Sequence, residues 1–245
     1  MGIIKKIIGY LLSFISMLLF VLFLIFLNFK LIYSESKILE IVNSDRYVNS
    51  VYKDFSDKLD LDVIDSKLKD KIMSSITKDV LISDHKLLVN NYFNGKHEEI
   101  SHLKQLENDL NVSSDERLKD YAIMTNSAYI SSLDLMFVGN LPVINSSIIL
   151  YVLLGLIGLI VLFGLVKYFL SKDRYFNKVS LINFMVLTLL FIIIGLIIYY
   201  SKYIFLSIHL NELIKIIVGK VLISNVFCLF VLILMYVLIN IKFSK

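Results

Sequence analysis

The chain has 245 residues, 57% of them hydrophobic, and a mean hydropathy of +0.76. This composition excludes an ordinary soluble domain, in which the apolar share is about 45–50%. The formal net charge is +4 at pH 7, and Cys228 is the only cysteine. The chain can therefore form no internal disulfide, and any part of it outside a membrane must be held together by packing.

Four uncharged apolar runs of 23, 32, 23 and 21 residues dominate the sequence. Because about 20 helical residues cross a hydrocarbon core of roughly 30 Å, each run predicts a transmembrane helix. The first run is expected to be a retained anchor, since it is long for a signal peptide and no small-residue cleavage pattern follows it. The runs lie between Lys6 and Lys30, between Asp134 and Lys167, between Lys178 and Lys202, and between Lys220 and Lys242.

Basic residues are distributed unevenly among the segments that connect these runs. The N-terminus, residues 167–178 and the C-terminus carry net charges of +2, +3 and +2, whereas residues 30–134 carry 14 basic and 19 acidic side chains. Cytoplasmic connections are enriched in Lys and Arg. We therefore expect a multi-pass protein of the plasma membrane, with both termini in the cytoplasm and residues 34–140 outside.

The long polar segment is predicted to be an extracytoplasmic helical domain. Gly95 is the only glycine in residues 34–138, and no proline occurs there, which favours helices joined by short turns. Apolar residues at helical spacing predict helices over 48–59, 64–76, 80–94, 100–110 and 113–129. The predicted regions are 1–33 with the first span, the helical domain 34–140, and 141–245 with three further spans.

A second polar segment, residues 203–219, lies between the third and fourth runs. Ser207, Asn211, Lys215 and Gly219 share one helical face, and the remaining residues are largely apolar. Two arrangements fit this amphipathic pattern. The segment either lies flat at the membrane interface or extends the fourth span outward as one long helix.

The interiors of the four runs contain no ionisable residue, which disfavours the transport of ions or protons. Gly155, Gly158 and Gly164 in the second run and Gly195 in the third are expected to let these two spans pack closely. A contact between two copies of the chain through these glycines is the alternative.

The four histidines, His85, His97, His102 and His209, all lie in segments predicted to be outside. His97 and His102 are five residues apart, so their imidazoles do not share a helix face as zinc-binding metalloprotease helices require, and no metal site is expected. Asp84 and His85 are expected to be a solvated pair, because adjacent helical residues do not face each other. His209 could act as a general base in acyl transfer or as an interfacial polar side chain.

No phosphate loop, dinucleotide fingerprint, Cys-x-x-Cys motif or nucleophile elbow occurs, and no cofactor is expected. The acidic balance of residues 30–134 argues against nucleic-acid binding. The expected partners are the lipid bilayer and a membrane or extracytoplasmic protein, which includes a second copy of the chain.

Three segments resemble uncharacterised four-span membrane proteins of Gram-positive bacteria that have a helical extracytoplasmic domain. These segments are 45–52 (DRYVNSVY), 76–80 (ITKDV) and 89–96 (VNNYFNGK). The resemblance covers most of the chain and implies one span, a helical outer domain and then three spans. It implies no activity.

A second resemblance is to the lipoprotein intramolecular transacylase family, which also has four spans and an extracellular cap. That family uses two histidines at the boundary between cap and membrane to move an acyl chain within the N-terminus of a lipoprotein. The resemblance implies roles for His209 together with His85 or His102. In the stretch nearest to the family's Glu-x-x-His-x-x-Asp pattern, which begins at Glu116, Lys119 stands in the place of the histidine.

Together these patterns predict an all-α membrane protein with four transmembrane helices and an extracytoplasmic helical cap. The leading hypothesis is a non-enzymatic accessory, assembly or sensing protein whose cap binds a partner at the outer membrane face, with no catalytic residue. The alternative is a membrane acyl-transfer enzyme that uses His209, His85 and His102.

Overall fold

The computed structural model describes residues 3–61, 66–95, 100, 129, 144–171, 175–201 and 208–241. Within these residues every regular element is an α-helix and no strand occurs, which confirms the predicted all-α class. The helices are α1 (Ile3–Ile32), α2 (Glu35–Val42), α3 (Asp45–Leu61), α4 (Ser66–Ser75), α5 (Lys78–Asn94), α6 (Ser146–Ser171), α7 (Tyr175–Tyr200) and α8 (Ile208–Ile241).

Four of these helices, α1, α6, α7 and α8, are long and apolar enough to cross a membrane. Each helix covers most of one uncharged run and extends past a charged residue that bounds the run. The runs themselves hold no ionisable residue, but the helices also include charged residues beyond the runs, such as Lys167 in α6 and Glu212 and Lys215 in α8. Lys and Glu are good helix formers, so a charge does not end a helix. Their long side chains can also carry the charge toward the helix end.

The chain folds into two compact units. The apolar unit consists of residues 1–34, 144–202 and 217–245, and the insert unit consists of residues 35–143 and 203–216. Helix α8 begins in the insert unit and continues into the apolar unit without a break. Of the two arrangements predicted for residues 203–219, the single long helix is confirmed from Ile208 onward.

In the apolar unit α1 packs against α6 and α7. The core joins Phe20 and Leu24 of α1 to Leu181 and Phe184 of α7 and Leu232 of α8. The rings of Phe20 and Phe184 stack with centroids 4.3 Å apart. Stacked aromatic pairs of this kind add to the stabilisation that burial alone gives.

Glycines permit close helix contact in the apolar unit, but not at all the expected places. A Cβ on Gly195 of α7 would lie 2.7 Å from Leu222 of α8, so the small residue permits that approach. The packing role predicted for Gly155 and Gly158 is wrong, because no atom lies within 4 Å of a Cβ at either position. A Cβ at either position would face open space, whereas a Cβ at Gly164 would lie near Asn177 of α7.

In the insert unit α2 and α3 pack on α5. Helices α3, α4 and α5 confirm the patterns predicted from 48, 64 and 80, while the predicted helices 100–110 and 113–129 lie outside the described residues except for residues 100 and 129.

The Thr77 hydroxyl accepts from Val80 N at the start of α5. Gly95 ends this helix at φ 61°, the left-handed conformation that favours glycine. The short helix α2 was not predicted, although Ile38, Ile41 and Val42 have helical spacing and are buried.

Candidate functional site: a buried histidine and carboxylate cluster

Helix α3 and the first turn of α8 meet through a buried pair of side chains. The apolar face of α3 is packed in the insert core, and Asp54 lies beside the fully buried Phe55 on this helix. Asp54 Oδ2 lies 3.0 Å from His209 Nδ1 of α8 and 2.8 Å from Lys58 Nζ. Asp54 is 8% exposed and His209 is 2% exposed. A buried carboxylate is thus held by two nitrogen donors from two helices.

The surroundings of Asp54 keep its carboxylate ionised. Burial by itself would raise the pKa of Asp54, but the hydrogen bonds and charges of His209 and Lys58 outweigh burial and lower that pKa to about 2. An ionised carboxylate only accepts hydrogen bonds. His209 therefore donates to this carboxylate from Nδ1, and Nε2 is its other ring nitrogen.

A second polar contact joins the same two helices nearer to the surface. Arg46 Nε of α3 donates to Glu212 Oε2 of α8, and Lys215 Nζ lies 3.4 Å from Glu212 Oε1. His209 and Glu212 are three residues apart and therefore share one face of α8. The start of α8 is thus fixed to α3 at two points, one buried and one half exposed.

His85 of α5 lies beside this pair and is fully buried. Neither of its ring nitrogens has a hydrogen-bond partner within the described part of the chain. Burial lowers the pKa of His85 to about 4; the charge of Asp84 opposes this shift and that of His209 adds to it. His85 is consequently neutral at pH 7. The prediction that Asp84 and His85 form a solvated pair is wrong, because α5 is covered by α2 and α3 and both residues are buried.

Asp84 has a buried partner from a distant part of the chain. The Tyr129 hydroxyl donates to Asp84 Oδ2, and the ring of Tyr129 packs edge-on against Phe55 of α3 at 5.3 Å between centroids. Burial and the hydrogen bond to Asp84 both raise the pKa of Tyr129. The phenol therefore keeps its proton and stays a donor to the carboxylate.

The structure brings two of the three candidate histidines together. The ring of Tyr47 lies 5.5 Å from that of His85 and 6.4 Å from that of His209, measured between centroids. The third candidate, His102, lies outside the described residues, as do His97 and Lys119.

Sequence reasoning missed the carboxylate that orients His209. The two partners are separated by 155 positions in the chain. A local signal existed only for the Asp54 and Lys58 pair, whose i, i+4 spacing is typical of helical ion pairs.

The cluster can orient a histidine and can respond to protonation. An imidazole held at Nδ1 by a carboxylate has its other nitrogen fixed in direction, which is how general bases are oriented. Among the described residues no group of three or more His, Cys, Asp or Glu side chains could hold a metal ion. No protein-family model, curated protein or solved structure matches the chain.

Proposed function

We propose that the chain is a non-enzymatic integral protein of the plasma membrane that serves as an accessory, assembly or sensing subunit. Its termini are cytoplasmic, and the insert unit lies outside, where it binds a membrane or extracytoplasmic protein or a second copy of the chain. The proposal is supported by four helices long enough to cross a membrane and by the uneven distribution of basic residues.

The observation that carries the proposal is the buried contact between His209 and Asp54. It attaches α3 of the insert unit to the first turn of α8, and α8 continues without a break as the last apolar helix. A change in the insert unit, caused by a partner or by protonation, would therefore act directly on the start of this helix. In many signalling proteins a local change of charge shifts an element such as a helix between two positions.

Burial of both histidines also favours a role other than catalysis. His85 and His209 are 0% and 2% exposed, so a substrate could reach their nitrogens only after the insert unit opened. Neutral His85 fits a packing position better than an acid or base that must exchange protons at pH 7, because its pKa is about 4.

One observation favours a second candidate, acyl transfer within a lipoprotein. His209 and His85 lie on either side of Tyr47, and Asp54 orients the first of them. In this alternative His209 Nε2 would take a proton from the attacking group, and His85 would assist after an opening of the insert unit.

Two matched variants separate these functions. His209→Asn retains an amide donor near the position of Nδ1, so it keeps the contact with Asp54 but has no basic nitrogen. His85→Phe fills the same buried position with a ring that cannot titrate. An accessory protein should keep its partner in both variants, whereas a transferase should lose acyl transfer in both, measured by mass spectrometry of lipoprotein N-termini.

Crosslinking with mass spectrometry in native membranes tests the leading proposal directly. We expect one protein, or a second copy of the chain, to be crosslinked to the insert unit at exposed positions such as Lys53. The same partner should be captured by His209→Asn and His85→Phe. A monodisperse monomer from which no crosslinked protein is recovered would overturn the proposal.

The proposed orientation has its own test. In a Cys228→Ala background, a cysteine placed at Lys53 should react with a membrane-impermeant maleimide in intact, wall-stripped cells. A cysteine placed at Lys5, near the N-terminus, should react only after lysis. Protection of position 53 until lysis would reverse the proposed topology.

A further inference from the structure

Helix α5 ends in an Asn–Gly pair at the surface of the insert unit. Asn94 is the last residue of the helix, Gly95 follows it in the left-handed conformation, and both are exposed. Of all the asparagines in the chain, Asn94 is the only one followed by glycine. Because glycine has no Cβ, its backbone nitrogen can approach a neighbouring side chain more closely than that of any other residue. The pair therefore places an amide side chain next to an unhindered backbone nitrogen.

An unhindered backbone nitrogen of this kind can attack the side chain of the asparagine before it. The Gly95 nitrogen forms a bond to Cγ of Asn94, the Cγ–Nδ2 bond breaks, and the amide group leaves as ammonia with the proton that the nitrogen gives up. The product is a cyclic succinimide. Water then opens this ring at Cγ, which gives aspartate, or at the backbone carbonyl carbon, which gives isoaspartate. The net change is an amide replaced by a carboxylate, with water as the only co-reactant.

The folded end of α5 holds both reacting groups in positions that prevent this attack. The Gly95 backbone N–H donates to the carbonyl oxygen of Asn91, so the nitrogen is engaged in the helix cap. Asn94 Nδ2 donates to the carbonyl oxygen of Asn90 at 3.1 Å and also to Asn90 Oδ1. The Asn94 side chain is thus directed toward the residue one turn earlier and away from Gly95. The attack requires that both contacts break.

We propose that Asn94 is a deamidation site that the cap of α5 protects, so that the reaction proceeds only through opening of the last helical turn. This turn lies at the end of a helix, where local opening costs the least free energy. The Asn94 side chain is exposed, so water reaches the succinimide as soon as it forms. Each deamidated chain then keeps a permanent record that this turn has opened.

The product of the reaction does not restore the original turn. An aspartate at position 94 has no amide hydrogens, and its carboxylate would face the two oxygens of Asn90 that Asn94 Nδ2 contacts. A negative charge in the last turn of a helix is also unfavourable for the helix macrodipole. Isoaspartate lengthens the backbone by a methylene group, which displaces Gly95 from its place as the cap. Deamidation therefore loosens the turn, and the change runs in one direction.

The first test compares the folded and the unfolded full chain in mildly alkaline buffer. The folded chain is kept in nanodiscs, and the other sample is kept at a urea concentration at which hydrogen exchange shows the insert unit to be unfolded. Tandem mass spectrometry of the peptide that contains residue 94 measures the deamidated fraction. We expect the folded chain to react about 25-fold more slowly, since the two hydrogen bonds that must open each contribute roughly a factor of five. Asn94→Gln, which would have to close a larger ring, should show no reaction at this position in either state.

Two matched variants, Asn90→Gly and Asn90→Ala, separate helix opening from local chemistry. Both remove Asn90 Oδ1 and leave Asn94 and Gly95 unchanged, but glycine disfavours a helix about fivefold more than alanine does. In the folded chain Asn90→Gly should therefore deamidate about fivefold faster than Asn90→Ala. In urea the two variants should react at the same rate, because neither changes the reacting pair.

Asn94→Asp tests the consequence of the reaction. Hydrogen exchange of this variant in nanodiscs should show the last turn of α5 opening about threefold more often than in the wild type. The proposal would be overturned if the unfolded wild type did not deamidate at Asn94, or if the folded and unfolded chains reacted at the same rate. Equal rates for the two folded Asn90 variants, or unchanged exchange in Asn94→Asp, would also overturn it. The comparison of folded and unfolded wild type needs no variant and decides the outcome if a variant does not fold.

Discussion

The two units satisfy their buried polar side chains in different ways. In the apolar unit, hydroxyls bond within their own helix: Ser13 to the carbonyl of Gly9 and Thr188 to that of Phe184, both four residues earlier. In the insert unit, two buried carboxylates find partners far along the chain, in the contacts of Asp54 with His209 and of Asp84 with Tyr129.

This difference follows from the surroundings that each unit can use. Within a helix a hydroxyl always has a carbonyl one turn earlier, so a helix built for lipid needs no distant partner. A buried carboxylate, by contrast, needs donors from other elements. The insert unit should therefore depend on a few specific contacts and on pH more strongly than the apolar unit does. Two contacts of the apolar unit are exceptions: Lys167 donates to hydroxyls of two neighbouring helices, and Asn28 of α1 donates to Asn225 of α8.

Removal of Asp54 should give the largest effect. Asp54→Ala leaves His209 buried without its carboxylate, and loss of one partner of a buried pair costs about 3 kcal/mol. Hydrogen exchange of the full chain in nanodiscs should show α3 and the first turn of α8 opening more easily by this amount.

Asp57→Ala is the matched control for Asp54→Ala, since Asp57 is an exposed carboxylate on the same helix. It should change the opening free energy by less than about 0.5 kcal/mol. Equal effects of the two variants would show that the His209 contact contributes nothing to the insert unit.

Acidification should weaken the insert unit through His85. The pKa of His85 is about 4 in the folded chain and 6.5 for an ordinary histidine. Between these values the unfolded chain binds more protons, so stability falls as the pH falls from 6.5 to 4, by about 3 kcal/mol in total. The pKa of Asp54, about 2 against 3.8, adds a further loss as the pH falls below 3.8.

His85→Phe isolates the contribution of this histidine. It removes two buried ring nitrogens that have no partner among the described residues, so at pH 7 the variant should be at least as stable as the wild type. Hydrogen exchange, corrected for the intrinsic effect of pH, should show that the opening free energy of the insert unit in this variant is nearly constant between pH 6.5 and 4. An unchanged slope would mean that other groups cause the acid sensitivity.

A smaller effect is expected from the Tyr129 hydroxyl. Tyr129→Phe removes the phenol that donates to Asp84, and a hydrogen bond to a charged group contributes about 2 kcal/mol. The same substitution in an Asp84→Asn background should cost less than half as much. If the two costs are equal, the contact does not couple these side chains.

The smallest effect is expected in the apolar unit. Asn28 Nδ2 of α1 donates to Asn225 Oδ1 of α8 at 3.3 Å, and both residues are buried. Asn28→Leu should cost about 0.6 kcal/mol, the mean for hydrogen bonds between membrane helices. This can be measured by unfolding in mixed micelles. A cost as large as that of Asp54→Ala would show that the apolar unit depends on its specific polar contacts as strongly as the insert unit does.

The double variant with Asn28→Leu and Asn225→Leu tests the same contact by removing both of its amides. Asn28 Oδ1 and Asn225 Nδ2 have no partner within the described residues. Replacing both amides by apolar side chains should therefore restore the stability that the single variant loses.

Much of the apolar unit could be predicted from the sequence, because hydropathy and helical length are local properties. The four long helices were confirmed, but their ends were not, since charged residues such as Lys167 continue a helix. Gly155 and Gly158 were assigned to a helix contact that they do not make. Which face of an apolar helix points inward is not encoded by hydropathy when every face is apolar.

The insert unit was predictable as helices but not as a site. Helix α3 follows its apolar spacing, and α5 ends at Asn94 as predicted. The cluster could not be derived, because His85, Asp54 and His209 come from three helices and no local pattern joins them. Their contacts depend on tertiary packing, which also buries Asp84 and His85 where the sequence suggested a solvated pair.

The insert unit is assembled from two stretches that are distant in the chain, residues 35–143 and 203–216. During synthesis the first stretch emerges roughly sixty residues ahead of the second, an interval of about 3–12 s at usual ribosome speeds. Until His209 has been synthesised, Asp54 lacks its buried partner and the core formed by its apolar neighbours is incomplete. A nascent chain that stalls or is truncated before this point therefore presents an incomplete insert unit to chaperones and proteases.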